Sequence, residues 1–297
     1  MIGVVVAFVT ALAWAGSSTL LKYLSSRIDA IPLNSIRLLI GSVVLLVIVL
    51  SSGRGEILAQ TNLLQGLLVA LSGLVAIAVG DTVYISSLSF LDVSRAFPLA
   101  QCTFPVMTVF VAMLFFGERF TALNVLGSVL VVLGIYVLTR RGEGKITDAN
   151  VTRGIAFKGI ALAFSAAALW TGGAAILRLG AINMDSLVAA AIRVPTAAMA
   201  LNILTLSQRN WHSLRSIVSN ARNALLTIAT GILTYGVAAV GYVTAMQMIG
   251  VGRTVVLTAS APLFLLPMSV LALKERPTVS ALAGAFVSVA GVCFVVL

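Results

Sequence analysis

Charge is what this chain has least of. Of its 297 residues only 9% are Asp, Glu, Lys or Arg, against about 25% in ordinary soluble domains. So few charges cannot cover a water-facing surface, so most of the chain faces lipid. Acids are the scarcer sign, nine Asp and Glu against nineteen Lys and Arg, which leaves little material for general acid–base chemistry. The single histidine, His212, lies in a polar stretch with no Cys or His near it, so a metal site is not expected. The two cysteines, Cys102 and Cys293, sit inside apolar runs without metal-ligand spacing, and a structural disulfide is not expected. There is no P-loop to hold ATP, no HExxH, and no pair of aspartates of the kind membrane prenyl transferases use. The reading is therefore not an enzyme, with no cofactor and no metal.

What is present is apolar. Hydrophobic residues make up 60% of the chain and the mean hydropathy is +1.11. Ten runs can be marked off, at about 2–22, 32–51, 63–90, 94–116, 121–139, 155–178, 186–206, 223–249, 254–273 and 278–297. Most approach the ~20 residues that a spanning helix needs, and barrel strands of ~9–11 alternating residues do not fit them. The first run lacks the basic start of a signal peptide and is long enough to span, so it reads as a membrane helix. The formal charge of +10 does not point to nucleic acid, because the basic residues lie between apolar runs, where membrane-flanking charge accounts for them. Lipid bilayer and a small-molecule substrate are the expected partners.

The chain repeats itself. Trp14 matches Trp170, Gly16 matches Gly172, Lys22 matches Arg178, Asp29 matches Asp185 and Arg37 matches Arg193 at an offset of 156 residues. Gly73, Tyr84 and Arg95 match Gly231, Tyr242 and Arg253 at 158, and Pro105, Glu118, Gly127 and Gly134 match Pro262, Glu275, Gly284 and Gly291 at 157. Small changes of offset are single-residue insertions or deletions. Residues 1–139 form one five-helix repeat, 140–157 a polar linker and 158–297 a second repeat. Five crossings are an odd number, so the second repeat enters from the opposite face and the copies are inverted. That geometry recurs in secondary transporters, whose substrate sites lie near mid-membrane between the repeats. The expected fold is an all-α integral membrane protein of ten transmembrane helices.

These residues carry a resemblance. Trp14-Ala15-Gly16, Ile36-Arg37, the run Gly80-Asp81-Thr82-Val83-Tyr84, Pro98, Pro105 and Gly117-Glu118-Arg119 in the first half, with Trp170, Arg193, Pro262 and Lys274-Glu275-Arg276 in the second, resemble the drug/metabolite transporter superfamily in its EamA branch of two five-helix repeats. The resemblance covers nearly the whole chain. It implies a secondary transporter of a small metabolite such as an amino acid or amine, in the plasma membrane.

Asp81 is the only acid well inside an apolar run. A carboxylate there costs ~2.5–3.5 kcal/mol on insertion scales, so such a residue faces a cavity or a partner. Its repeat counterpart is Ala239, so Asp81 breaks the symmetry. It is the candidate carrier of a coupling proton, the other reading being a fixed acid that ties helices together. Tyr84, at i+3 on the same face, could donate to it. Trp14 and Trp170 lie mid-helix, as cavity walls or as packing. Arg37 and Arg193 lie just inside their runs and either snorkel to the headgroups or sit at a cavity mouth as gates. Pro98, Pro105, Pro262 and Pro267 interrupt helices four and nine among polar Gln101, Thr103, Thr258 and Ser260, and interrupted helices can line a polar path. The expected path residues are Trp14, Asp81, Tyr84, Gln101, Trp170, Tyr242 and Thr258. A channel would need a continuous polar stripe, which is absent from the sequence, and a purely structural membrane protein would need no buried acid. Glu118 and Glu275, beside Arg119 and Arg276, read as helix-end charges. Gly127/Gly134 and Gly284/Gly291 read as tight helix packing, in a monomer or across a homodimer.

Arg54, Arg119, Arg178 and Arg253 fall on the side shared with the N-terminus, and thirteen other Lys and Arg fall on the opposite side, with Arg37 and Arg193 left out as embedded. The positive-inside rule then places both termini outside. The resemblance implies cytoplasmic termini.

Overall fold

A computed structural model describes residues 1–116, 121–139, 149–181, 183–208, 211–249, 254, 257–274 and 278–296. Among the described residues every regular element is helical: α1 Ile2–Ser25, α2 Ala30–Ser51, α3 Leu63–Ser87, α4 Val93–Phe116, α5 Ala122–Thr139, α6 Ala149–Gly180, α7 Ser186–Ser207, α8 Ala221–Ile249, α9 Ala261–Leu273 and α10 Val279–Val296. Short helices Gly55–Ala59 and Trp211–Val218 lie in the α2–α3 and α7–α8 connections. Six helices, α1, α2, α3, α6, α7 and α8, are long and apolar enough to cross a membrane, and the shorter apolar stretches Val125–Gly134, Ala261–Leu273 and Leu282–Phe294 accompany them. Their outward faces carry Val47, Leu50, Leu67, Met199 and Ile203 exposed. Water would penalise such a surface and lipid does not. The chain is a multi-pass membrane protein.

Helix ends follow from local chemistry. Asp185 caps α7 by accepting from the backbone N–H groups of Leu187 (2.9 Å) and Val188 (3.1 Å). Asn62 and Asn220 cap α3 and α8 in the same way. α6 begins at Ala149, earlier than the apolar run, because its polar first turns need no lipid.

The packing repeats under exchange of the two halves. α2 packs on α7 and α5 on α10, each pairing a helix with its own counterpart. α3 on α6 answers α8 on α1, α4 on α6 answers α9 on α1, and α3 on α7 answers α8 on α2. Glycines permit the closest of these approaches. A Cβ on Gly134 would meet the Gly284 oxygen at 2.7 Å, and one on Gly291 would meet the Gly127 oxygen at the same 2.7 Å. The expected tight glycine packing is seen here between α5 and α10 of one chain. A Cβ on Gly231 would meet the Arg37 oxygen at 2.8 Å, and Gly73 abuts the Arg193 backbone in the same manner.

A feature invisible to hydropathy follows each of those last two glycines. α3 carries a π-helical turn at Leu74–Gly80 and α8 carries one at Ile232–Ala238, at the offset of 158. A π turn accommodates one extra residue and leaves carbonyls short of partners. Ser17 Oγ reaches the Thr230 oxygen just ahead of the second turn (3.5 Å), and Asn34 Nδ2 donates to the Ile77 oxygen inside the first (3.2 Å).

Candidate functional site

Between the halves lies a cavity in which water-molecule centres can occupy ≈ 150 Å³. That is well above the roughly 10–15 Å³ needed to hold a single water, and it leaves room for several waters or a small metabolite. Its walls come from α1, α2, α3 and α4 of the first half and α6, α7 and α8 of the second. Trp14, Arg37, Asp81, Tyr84, Gln101, Trp170, Arg193 and Tyr242 all line it. Thr258 does not, although it is buried.

The aromatic walls obey the pseudo-symmetry. The Trp14 ring from the first half lies 5.5 Å from Tyr242 of the second, and Trp170 from the second lies 5.5 Å from Tyr84 of the first. Phe104 closes on Trp170 edge-to-face at 6.3 Å, and Phe97 on Tyr84 at 6.2 Å. Such tilted and edge-on contacts hold rings in place.

The polar groups do not obey it. Asp81 stands at the end of the π turn in α3, with Oδ1 accepting from Trp170 Nε1 (2.8 Å) and Oδ2 from the Tyr235 hydroxyl (2.7 Å). Both donors belong to the second half. The expected Tyr84 donor is not what holds the carboxylate; its ring packs on Trp170 and Phe97 instead. The Tyr235 oxygen is also 2.7 Å from Asn34 Oδ1. A hydroxyl has one proton, so it donates to one of these acceptors at a time.

Arg37 is 1% exposed. Its Nε donates to Thr230 Oγ1 (3.1 Å), Nη1 to Asn34 Oδ1 (3.1 Å), and Nη2 to Ser17 Oγ (3.4 Å) and Thr234 Oγ1 (2.9 Å). The snorkelling reading fails for this residue: the guanidinium is held inward by hydroxyl and amide oxygens from both halves. Arg193 is 9% exposed and does not reach the headgroups either. Its Nε donates to Ser72 Oγ at 2.9 Å. Both guanidiniums lie within electrostatic reach of Asp81.

The prolines divide. α4 runs unbroken from Val93 to Phe116 through Pro98 and Pro105, so the expected interruption of helix four is absent. Pro105 forfeits one backbone bond without ending the helix. In the second half a turn at Ala259–Ser260 separates the helical residues Leu257 and Thr258 from α9, whose first turn holds Pro262, where a missing N–H costs nothing. Pro267 is exposed on the far side of α9. None of the four lines the cavity. Glu118, Arg119, Arg253, Glu275 and Arg276 lie outside the described residues.

Sequence reasoning missed Ser17, Asn34, Thr230, Thr234, Tyr235 and Ser72. The signal was available in the offset. Asp81 stands opposite Ala239, and Tyr235 stands opposite Ile77 by the same count.

A family model described as the EamA-like transporter family matches residues 1–140 and 157–297. An uncharacterized transporter of Archaeoglobus fulgidus is 22% identical, over 100% of this chain and 99% of its own length. A solved crystal structure superposes with a TM-score of 0.67 at 19% identity, covering 98% of this chain and 95% of the other, and so shares its fold. The matched segments are the two internal repeats, and between them they span nearly the whole chain, so the protein belongs to the EamA-like transporter family.

Proposed function

We propose that this chain is a secondary active transporter of a small metabolite, an amino acid, amine or similar solute, in the plasma membrane. Residues 1–139 and 158–297 are two inverted repeats of five crossings each, joined by residues 140–157. Alternating access arises as the halves rock about the cavity, whose lining they share. The observation that carries this reading is an aromatic-walled cavity between the halves that holds the one acid within the apolar runs, hydrogen-bonded across the repeat boundary. A water-filled channel would need a polar stripe along its length, whereas most of this lining is aromatic or aliphatic.

Asp81 is the coupling group in this reading. Each of its carboxylate oxygens is bonded to a residue of the opposite half, so binding or losing a proton changes how strongly the halves hold one another. Trp14, Tyr84, Trp170 and Tyr242 wall the path, Gln101 adds a polar amide, and Arg37 and Arg193 set the charge of the cavity rather than gating a mouth. The test is uptake and counterflow in proteoliposomes over a range of pH. Saturable flux with counterflow is expected, with pH dependence lost in Asp81→Asn. Flux linear in concentration would indicate a channel, and an unchanged pH profile in Asp81→Asn would remove the coupling role.

A further inference from the structure

The two halves of the cavity can be laid over one another by their repeat offsets. In the first, Arg37 is surrounded by Ser17, Asn34, Thr230 and Thr234. The counterparts around Arg193 are Gly173, Ala190, Ser72 and Ala76. Only the hydroxyl at the Nε position survives, and it makes the equivalent bond: Arg37 Nε to Thr230, Arg193 Nε to Ser72. The terminal nitrogens of Arg193 meet no acceptor among the described residues, although the side chain is nine-tenths buried. The same subtraction applies to the acid. Asp81 is bonded by Trp170 and Tyr235; its counterpart Ala239 lines the same cavity as Trp14, whose indole N–H meets no acceptor among the described residues, and Ile77 replaces Tyr235. The Tyr242 hydroxyl beside Arg193 is likewise unengaged among the described residues.

One half-site is therefore complete, with a carboxylate accepting from an indole and a guanidinium nearby. The other keeps the indole and the guanidinium, has no hydroxyl at the place of Tyr235, and lacks the carboxylate. The cavity holds two guanidiniums against one carboxylate, an excess of one positive charge among its described lining residues. Burying an unmatched cation is costly unless an anion joins it.

We propose that the vacant half-site binds the carboxylate of the substrate, which takes the place at Ala239 that Asp81 holds in the other half. Trp14 Nε1, the terminal nitrogens of Arg193 and the Tyr242 hydroxyl are its donors. Arginine suits this role because its planar fork meets both oxygens of a carboxylate. The body of the substrate is apolar or aromatic, since Trp14, Trp170, Phe97 and Phe104 make up much of the remaining wall. This deepens the transporter reading by naming the substrate class, and it rests on that reading only for the step of translocation.

The test is equilibrium binding to the purified full chain in detergent with three probes of one shape: phenylacetate, its neutral amide phenylacetamide, and phenethylamine. Phenylacetate is expected to bind, and Arg193→Gln to raise its Kd roughly ten- to a hundred-fold, the loss of a charge-assisted hydrogen bond, with partial recovery in Arg193→Lys. Ala239→Asp supplies the missing carboxylate from the protein itself. It is expected to abolish phenylacetate binding without removing any native group, and it carries the test if Arg193→Gln does not fold. Phenylacetate affinity unchanged in Ala239→Asp, a failure of phenylacetate to bind, or binding of phenethylamine alone would each overturn the proposal. Counterflow separates the two readings. Exchange of phenethylamine without phenylacetate keeps the carrier and removes the carboxylate site. Arg193-dependent binding of phenylacetate without exchange keeps the site and removes the carrier.

Discussion

Tyr235→Phe removes one oxygen and leaves the ring in place, so it isolates the bond across the repeat boundary. That hydroxyl lies 2.7 Å from both Asp81 Oδ2 and Asn34 Oδ1. Asn34 Oδ1 keeps a donor in the variant, Arg37 Nη1 at 3.1 Å, and the other carboxylate oxygen keeps Trp170 at 2.8 Å. The loss therefore falls on one oxygen of a charged group, for which about 1.5–3 kcal/mol is expected, against about 0.5–1.5 kcal/mol for a bond between neutral partners. Making the same change in the Asp81→Asn background turns the charged case into the neutral one. The double-mutant cycle should then show a coupling of about 1 kcal/mol, well outside the ~0.3–0.5 kcal/mol scatter of independent sites. The assay is equilibrium unfolding of the purified protein in mixed micelles, followed by tryptophan fluorescence. Costs that simply add would refute the account, because Tyr235 and Asp81 would then not share a bond in the folded protein.

Other substitutions separate structural from functional groups. Gly134→Leu forces side-chain atoms into the α10 backbone and should cost at least about 1–3 kcal/mol with no change in oligomeric state by light scattering; a loss of dimer would instead make this surface intermolecular. Arg54→Ala breaks the 3.2 Å ion pair with Asp185, and since both partners are partly exposed the cost should stay below about 1 kcal/mol. Arg37→Ala unpairs a buried network and should cost several times more in the same unfolding assay; equal costs would mean that Arg37 is not buried as described. A reporter active only in the cytoplasm, fused after Leu297, should be silent if charge distribution sets the topology, and its activity would reverse the orientation.

Rarity made part of the site legible. Asp81, Arg37, Arg193, Trp14 and Trp170 stand out because charge and tryptophan are scarce in apolar runs, and all five line the cavity. Ser17, Thr230 and Thr234 did not stand out. Hydroxyl residues are ordinary in membrane helices, where they commonly bond the carbonyl one turn back, as Thr10, Thr19 and Thr205 do here. Nothing local distinguishes such a hydroxyl from one that reaches Arg37 across the repeat boundary. Prolines misled for the opposite reason. They are conspicuous in sequence, yet a helix surrounded by neighbours absorbs them, and α4 passes two without a break. The repeat was the strongest signal, and its mismatches carried more information about the site than its matches. Matched positions such as Trp14/Trp170 and Gly73/Gly231 build a frame common to both halves, while Asp81/Ala239 and Tyr235/Ile77 tell those halves apart.

The π turns give this arrangement a clock. Successive residues of an α-helix are set about 100° apart around its axis, so one residue more or less changes the phase of everything downstream. Ser72 and Asp81 lie on either side of the turn at Leu74–Gly80, and both are needed at the cavity: one beneath Arg193, the other between Trp170 and Tyr235. Deleting a single residue from that turn would let the backbone relax into ordinary α-helix with no side chain of the site altered. The carboxylate would nonetheless swing away by more than a quarter of a revolution. Length, as much as composition, is therefore under constraint in α3 and α8, and an insertion tolerated in any connecting loop would there dismantle the site.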